Sequence, residues 1–159
     1  MSDKIMTAAQ LAPVLEHARA QKKRIVFTNG CFDLMHVGHT RYLQAARTLG
    51  DLLVVGVNSD ASVRHLNKGV DRPIVPEAQR AEVLAALGCV DYVVIFSEPD
   101  PGALITALQP DVLVKGGDWA INQIVGRETV EARGGIVTTI PLVPGLSTTS
   151  LLQRIRSTT

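Results

Sequence analysis

The sequence predicts a doubly wound, Rossmann-like parallel α/β sheet of five strands with helices on both faces, and three observations carry that prediction. Its β-rich runs are apolar at successive positions, as in Leu52 to Val57, so both faces of the sheet need cover. Between them lie segments with helical periodicity that can supply the cover. Finally, 159 residues with 46% hydrophobic and 19% charged side chains suit one compact domain, with an N-terminal helix over about 7–20 and a core over about 24–156.

The elements follow in order. Thr7-Ala8-Ala9-Gln10 has the form of a capping box, and Leu11, Val14, Leu15 and Ala18 recur on one face of the helix it opens. Arg24 to Thr28 is a first strand ending in Asn29-Gly30, followed by a helix from near Gly38 that carries Tyr42, Ala45, Ala46 and Leu49 and closes at Gly50. Leu52 to Val57 is the second strand. Pro76 and Glu77 open a helix that runs to Leu87 and stops at Gly88, and Tyr92 to Phe96 is the third strand. A helix from Asp100-Pro101 carries Leu104, Ile105 and Leu108, Val112 to Val114 and Ile136 to Thr139 are the fourth and fifth strands, and Ser147 caps a last helix with Leu151, Leu152 and Ile155.

Composition narrows the partners. Lys+Arg of 16 against Asp+Glu of 15 gives a net charge of +1, so no global field draws the chain to nucleic acid or an anionic membrane. No apolar run approaches the roughly 18 residues of a membrane span. Two cysteines, Cys31 and Cys89, and a start at Met1-Ser2-Asp3-Lys4 that leads directly into a helix point to a reducing cytoplasm.

Ligands in doubly wound sheets bind beyond the carboxyl ends of the strands. After the first strand stands Asn29 to His39, which contains neither G-x-x-x-x-G-K-[ST] nor G-x-G-x-x-G; in their place His36-Val37-Gly38-His39 opens a helix. Free amides and the positive dipole end favour phosphate there, two imidazoles add donors, and Gly38 leaves room for close approach. The competing readings are histidines that merely cap a loop, or a metal site of His36, His39 and Cys31. His17 and His65 fall in other predicted helices and no C-x-x-C completes a ligand set, so no metal site is expected. Lys68 and Arg72 lie in a Gly- and Pro-hinged loop that either closes over a ligand or is only solvated.

Gly30-Cys31-Phe32-Asp33 with His36-Val37-Gly38-His39, and then Gly145 to Ser150 at the last helix, resemble the two motifs of the HxGH nucleotidyltransferases, the superfamily of cytidylyltransferases and phosphopantetheine adenylyltransferase. Lys115-Gly116-Gly117-Asp118-Trp119, Arg72-Pro73, Arg80 and Val143-Pro144-Gly145 are similar to the adenylyltransferases that act on D-glycero-β-D-manno-heptose 1-phosphate. That domain is in many bacteria fused to a sugar kinase, for which this chain is too short, so the resemblance implies a free-standing form. Leu142-Val143-Pro144-Gly145 replaces the Arg-Thr-Glu-Gly lead-in usual in cytidylyltransferases.

The resemblance implies AMP transfer from ATP to the sugar 1-phosphate, giving ADP-heptose for lipopolysaccharide or surface-glycan synthesis. It implies catalysis by His36, His39, Lys68 and Arg80. Gly30, Cys31, Phe32, Lys115, Gly116, Asp118, Ser147, Thr148 and Thr149 are expected to bind the nucleotide together with the histidines. Asp33, Arg72 and Arg80 are expected to bind the acceptor, with Asp33 on its hydroxyls or on magnesium. Magnesium arrives with ATP, and a homodimer or higher oligomer is expected. The alternatives are a cytidylyltransferase for a small phosphorylated alcohol such as glycerol 3-phosphate, and a non-catalytic nucleotide-binding module.

Overall fold

A computed structural model describes residues 2–117 and 119–158. The strands are β1 (Ile25–Gly30), β2 (Leu52–Asn58), β3 (Tyr92–Phe96), β4 (Val112–Gly116) and β5 (Ile136–Ile140). The helices are α1 (Ala8–Ala20), α2 (Val37–Arg47), α3 (Asp60–His65), α4 (Glu77–Ala85), α5 (Gly102–Leu108), α6 (Arg127–Ala132) and α7 (Thr148–Ser157), with a short 3-10 turn at Ile121–Gln123. The sheet is parallel throughout in the order β3-β2-β1-β4-β5, the Rossmann-like arrangement expected from the alternation.

Successive strand residues point to opposite faces, so each apolar run feeds two cores. Phe27, Val54, Val94 and Leu113 pack with Leu11 and Leu15 of α1 and with Leu104, Ile105 and Leu108 of α5. Val26, Val55, Val93 and Val114 pack with Leu43 and Ala46 of α2 and with Ala81 and Leu84 of α4.

Helix ends follow local chemistry. Thr7 and Gln10 form the expected capping box on α1, and Ser147 caps α7 by accepting from the Ser150 amide. Several expected limits shift by a turn or less: α4 ends at Ala85, and α5 begins at Gly102, whose amide donates to Asp100 Oδ1. The six-residue helices α3 and α6 are too short to show a full apolar stripe, and periodicity did not delimit them.

Candidate active site

The two edges of β1 differ. It pairs with β2 from Ile25↔Leu52 through Gly30↔Val57. With β4 it pairs only at Val26↔Val112 and Phe27↔Leu113. Beyond Phe27 the β1/β4 seam opens and side chains cross it. Thr28 Oγ1 donates to Tyr42 OH at 2.6 Å, and Tyr42 OH donates in turn to Val114 O at 3.3 Å. Lys115 Nζ donates to Asn29 Oδ1 at 3.3 Å. Here, at the point where strand order reverses, lies a cleft of about 740 Å³, the size of a small-molecule site.

The histidine pair lines this cleft. The Gly38 amide donates to His36 Nδ1 at 3.1 Å, and the His36 amide donates to His39 Nδ1 at 3.2 Å. Both imidazoles therefore cap α2. A nitrogen that accepts carries no proton, so in each neutral ring the proton resides on Nε2. Capping uses Nδ1 and leaves Nε2, so capping and ligand binding, alternatives from sequence, do not exclude each other. Burial lowers His36, and burial reinforced by the charges of His36 and Lys68 lowers His39 to about 4, so both are neutral donors near pH 7. The rings stack with centroids 4.0 Å apart, and Phe32 lies 5.5 Å from His39. Gly38 has a more specific reason than open space: a Cβ there would come within 2.8 Å of the His36 ring.

Asp33 and Arg80 do not match their expected roles. The carboxylate of Asp33 is 0% exposed and accepts from Arg72 Nε at 3.0 Å and from the Ile74 and Val75 amides. Burial alone would raise it, but these two amides and the Arg72 guanidinium outweigh burial and hold it below its ordinary value. With both oxygens committed to the 72–75 segment, Asp33 presents none to a sugar or a metal. Its carbonyl also accepts from Thr148 Oγ1 at 2.6 Å, which ties α7 to the same turn. Arg80, expected as a mobile acceptor-binding cation, is 1% exposed. It donates to the carbonyls of Val75, Cys31 and Asn58 and to Asp60 Oδ1, all within 2.8 Å. It is a strut beneath the site, fixed by its own hydrogen bonds.

The other cations do reach the cleft. Arg72 is held through Nε, while its Nη groups have no protein partner among the described residues. Lys68 is exposed at the rim. Lys115 is lowered by burial first and by Lys68 second, and its Nζ stands 5.6 Å from the Trp119 ring centroid. Trp119 is 53% exposed and lines the cleft, so it is no core residue. Gly30, Cys31, Phe32, Gly116, Ser147, Thr148 and Thr149 also line it. Asp118 lies outside the described residues. Gly117, at φ +84, and Gly116 make space for Leu142, whose side chain would lie 3.1 Å from a Cβ on either. No group of three or more His, Cys, Asp or Glu suited to a metal ion occurs among the described residues.

Thr28, Asn29, Tyr42 and Asn58 escaped the sequence reading. A usable signal was present: Thr28 and Asn29 close an otherwise apolar strand, as does Asn58, and polar residues at the carboxyl ends of buried strands face the ligand crevice.

Among the described residues no helix is long and apolar enough to cross a membrane. The chain is 57% identical over 154 residues to the bifunctional protein HldE of Geotalea uraniireducens (strain Rf4), covering 97% of this chain and 31% of that protein. It is likewise 57% identical to the bifunctional protein HldE of Pelobacter propionicus over 96% of this chain and 31% of the relative. This chain therefore spans about a third of the length of these relatives, at 31%. A solved structure, the lipopolysaccharide core biosynthesis protein from Thermoplasma volcanium GSS1, superposes with TM-score 0.63 at 28% identity, covering 76% of this chain and 97% of that one. A family model described as cytidylyltransferase-like matches residues 27–157, which runs from β1 with its histidine-capped α2 to the end of α7, and the chain therefore belongs to the cytidylyltransferase-like family.

Proposed function

We propose that this chain transfers AMP from ATP to a sugar 1-phosphate, D-glycero-β-D-manno-heptose 1-phosphate, releasing pyrophosphate and forming ADP-heptose for lipopolysaccharide or surface-glycan synthesis. The carrying observation is the paired imidazoles, locked with Nε2–H outward at a helix N-terminus, in a cleft that also holds Lys68, Arg72 and Lys115. Such a set suits two polyanions that must be brought together. The likeness to the lipopolysaccharide core biosynthesis protein supports the pathway assignment.

A phosphate oxygen of the acceptor attacks the α-phosphorus of ATP while the bond to the β-phosphate oxygen breaks and pyrophosphate leaves. A phosphate monoester is already ionised near neutral pH, so the step needs no strong protein base. Catalysis then rests on positioning and on stabilising charge in the transition state. His36 and His39 donate Nε2–H to the reacting phosphates, and the Thr148 and Thr149 amides at the start of α7 meet the departing β- and γ-phosphates. Lys68, Arg72 and Lys115 offset the remaining charge. Magnesium enters bound to ATP as part of the substrate. The adenine ring lies against Trp119, Gly116 and Leu142. Two free thiols, Cys31 and Cys89, accord with a cytoplasmic enzyme, and we place it there as a homo-oligomer.

The test crosses ATP, CTP and GTP with heptose 1-phosphate, glycerol 3-phosphate and phosphopantetheine and identifies products by mass. An ADP-heptose product formed fastest from ATP is expected. A faster CDP-linked product, or preference for glycerol 3-phosphate, overturns the proposal.

A further inference from the structure

Besides its cationic groups, the cleft is lined by residues whose oxygen atoms can only accept. Asn58 ends β2 and is 4% exposed. Its Nδ2 donates to Ser62 Oγ at 2.9 Å, and Ser62 Oγ donates onward to Glu98 O at 3.2 Å. Because the Ser62 proton is engaged with that carbonyl, Ser62 can only accept from Asn58, which fixes the amide with Nδ2 toward Ser62. Asn58 Oδ1 is left without a protein partner among the described residues. Among the described residues no side-chain oxygen sealed from solvent lacks a hydrogen bond, so Oδ1 is open to the cleft that Asn58 lines.

The same chain of bonds ties down the turn after β3. Glu98 belongs to it, and so does Asp100, which also lines the cleft. Asp100 Oδ1 accepts from the Gly102 amide at 2.8 Å, and a Cβ on Gly102 would come within 2.9 Å of that oxygen. Its Oδ2 has no protein partner among the described residues. Thus the β2/β3 side of the cleft presents an amide oxygen and a carboxylate oxygen, both held by neighbouring donors. The β4 side instead presents Trp119, Leu142 and Lys115.

We infer that Asn58 and Asp100 form a polyol subsite that binds hydroxyl groups of the acceptor. Each oxygen can accept from one hydroxyl of a polyol, whereas a phosphate would meet two acceptors and be repelled by the carboxylate. The acceptor therefore lies with its phosphate over the histidines and its carbon chain toward β2 and β3, and its hydroxyls distinguish it from a short phosphorylated alcohol. This inference rests on the proposed nucleotidyl transfer to a sugar phosphate and assigns the residues that select the sugar. Arg80 is a positioning residue for it, because Nη1 donates to Asn58 O at 2.8 Å and to Cys31 O at 2.7 Å.

The test is the steady-state kinetics of Asp100→Asn and Asn58→Ala with heptose 1-phosphate and with glycerol 3-phosphate, varying ATP separately. Asp100 is exposed, so its substitution leaves folding intact even where Asn58→Ala destabilises. Each variant should raise the KM for heptose 1-phosphate about tenfold or more, as expected for a hydrogen bond to a buried or charged acceptor. The KM for ATP should stay within about twofold, and preference for the heptose over glycerol 3-phosphate should shrink by the same factor. An unchanged acceptor KM in Asp100→Asn overturns the subsite, as does a rise in the ATP KM alone, which would place ribose there. Wild-type turnover separates the two levels. If the wild type makes ADP-heptose and the variants discriminate as well as it does, only the subsite fails; if the wild type prefers glycerol 3-phosphate, the proposed function and the subsite fail together.

Discussion

The two edges of β1 are built from different materials. Toward β2, register is unbroken from Ile25↔Leu52 to Gly30↔Val57, and Arg80 carries the connection past the strand ends by bonding both Cys31 O and Asn58 O. Toward β4, the backbone ladder stops at Phe27↔Leu113, and Thr28, Tyr42, Asn29 and Lys115 hold the gap. One edge is a wall and the other a doorway. Groups pushed far from their ordinary ionisation cluster at the doorway: His39 falls to about 4 and Tyr42 rises to about 12, in both cases chiefly through burial. The lesson is that basic residues alike in sequence serve opposite ends here. Arg80 is consumed by carbonyls beside the closed edge, while Lys68, Arg72 and Lys115 line the cleft.

Removing the strut on the closed edge should have the largest effect. Arg80→Ala deletes a side chain that is 1% exposed, leaves three carbonyls without their donor and breaks the pair with Asp60. A loss of about 3–5 kcal/mol is expected from chemical denaturation, the range for breaking a buried ion pair. If Arg80→Ala folds with near-normal stability and loses only acceptor affinity, Arg80 belongs to the open edge after all.

The doorway should yield less stability and more specificity. Tyr42→Phe strands Thr28 Oγ1 and Val114 O, and a loss of about 1–2 kcal/mol is expected for that pair of bonds. Because Val114 adjoins Lys115, nucleotide affinity measured by titration calorimetry should weaken as well. Unchanged ATP affinity would mean that the seam is held without Tyr42.

A third effect appears only on acidification. His39 is depressed in the folded chain, so between pH 6.5 and about 4 the unfolded chain binds the extra proton and the native one does not. Stability contributed by this group is therefore full above pH 6.5 and declines as the pH falls toward 4. Protonation would also cost the bond from the His36 amide to His39 Nδ1. Thermal melts should show Tm falling across that window, less steeply with ATP bound, because phosphate favours the charged ring. A Tm that rises on acidification to pH 5 contradicts the assigned tautomer.

Much of this was legible in the chain. Uninterrupted apolar strands and the alternation of periods identified the sheet, and capping chemistry placed the starts of α1 and α7 because those signals are local. The histidine pair was legible for the same reason: two residues and a glycine at a helix start carry their own geometry. The bonding of Asp33 and Arg80 was not legible because their partners lie far along the chain: Asp33 with Arg72, Ile74 and Val75, and Arg80 with Cys31 and Asn58. A charged residue near a motif looks the same in sequence whether it faces a ligand or a buried carbonyl. The opening of the β1/β4 seam was only half legible: β1 turns polar at Thr28, where the pairing with β4 ends, but β4 stays apolar through Val114 and β1 goes on pairing with β2 to Gly30.

Everything proposed for the doorway turns on the two imidazoles acting as neutral Nε2–H donors to the reacting phosphates. The direct measurement is kcat and ATP dissociation constant for His36→Ala and His39→Ala beside the wild type, with ATP and heptose 1-phosphate at saturation. Each variant should lose about 10²-fold or more in kcat, as for removal of one oxyanion-type donor, while ATP binding weakens far less. Near wild-type turnover in both variants would contradict the assignment.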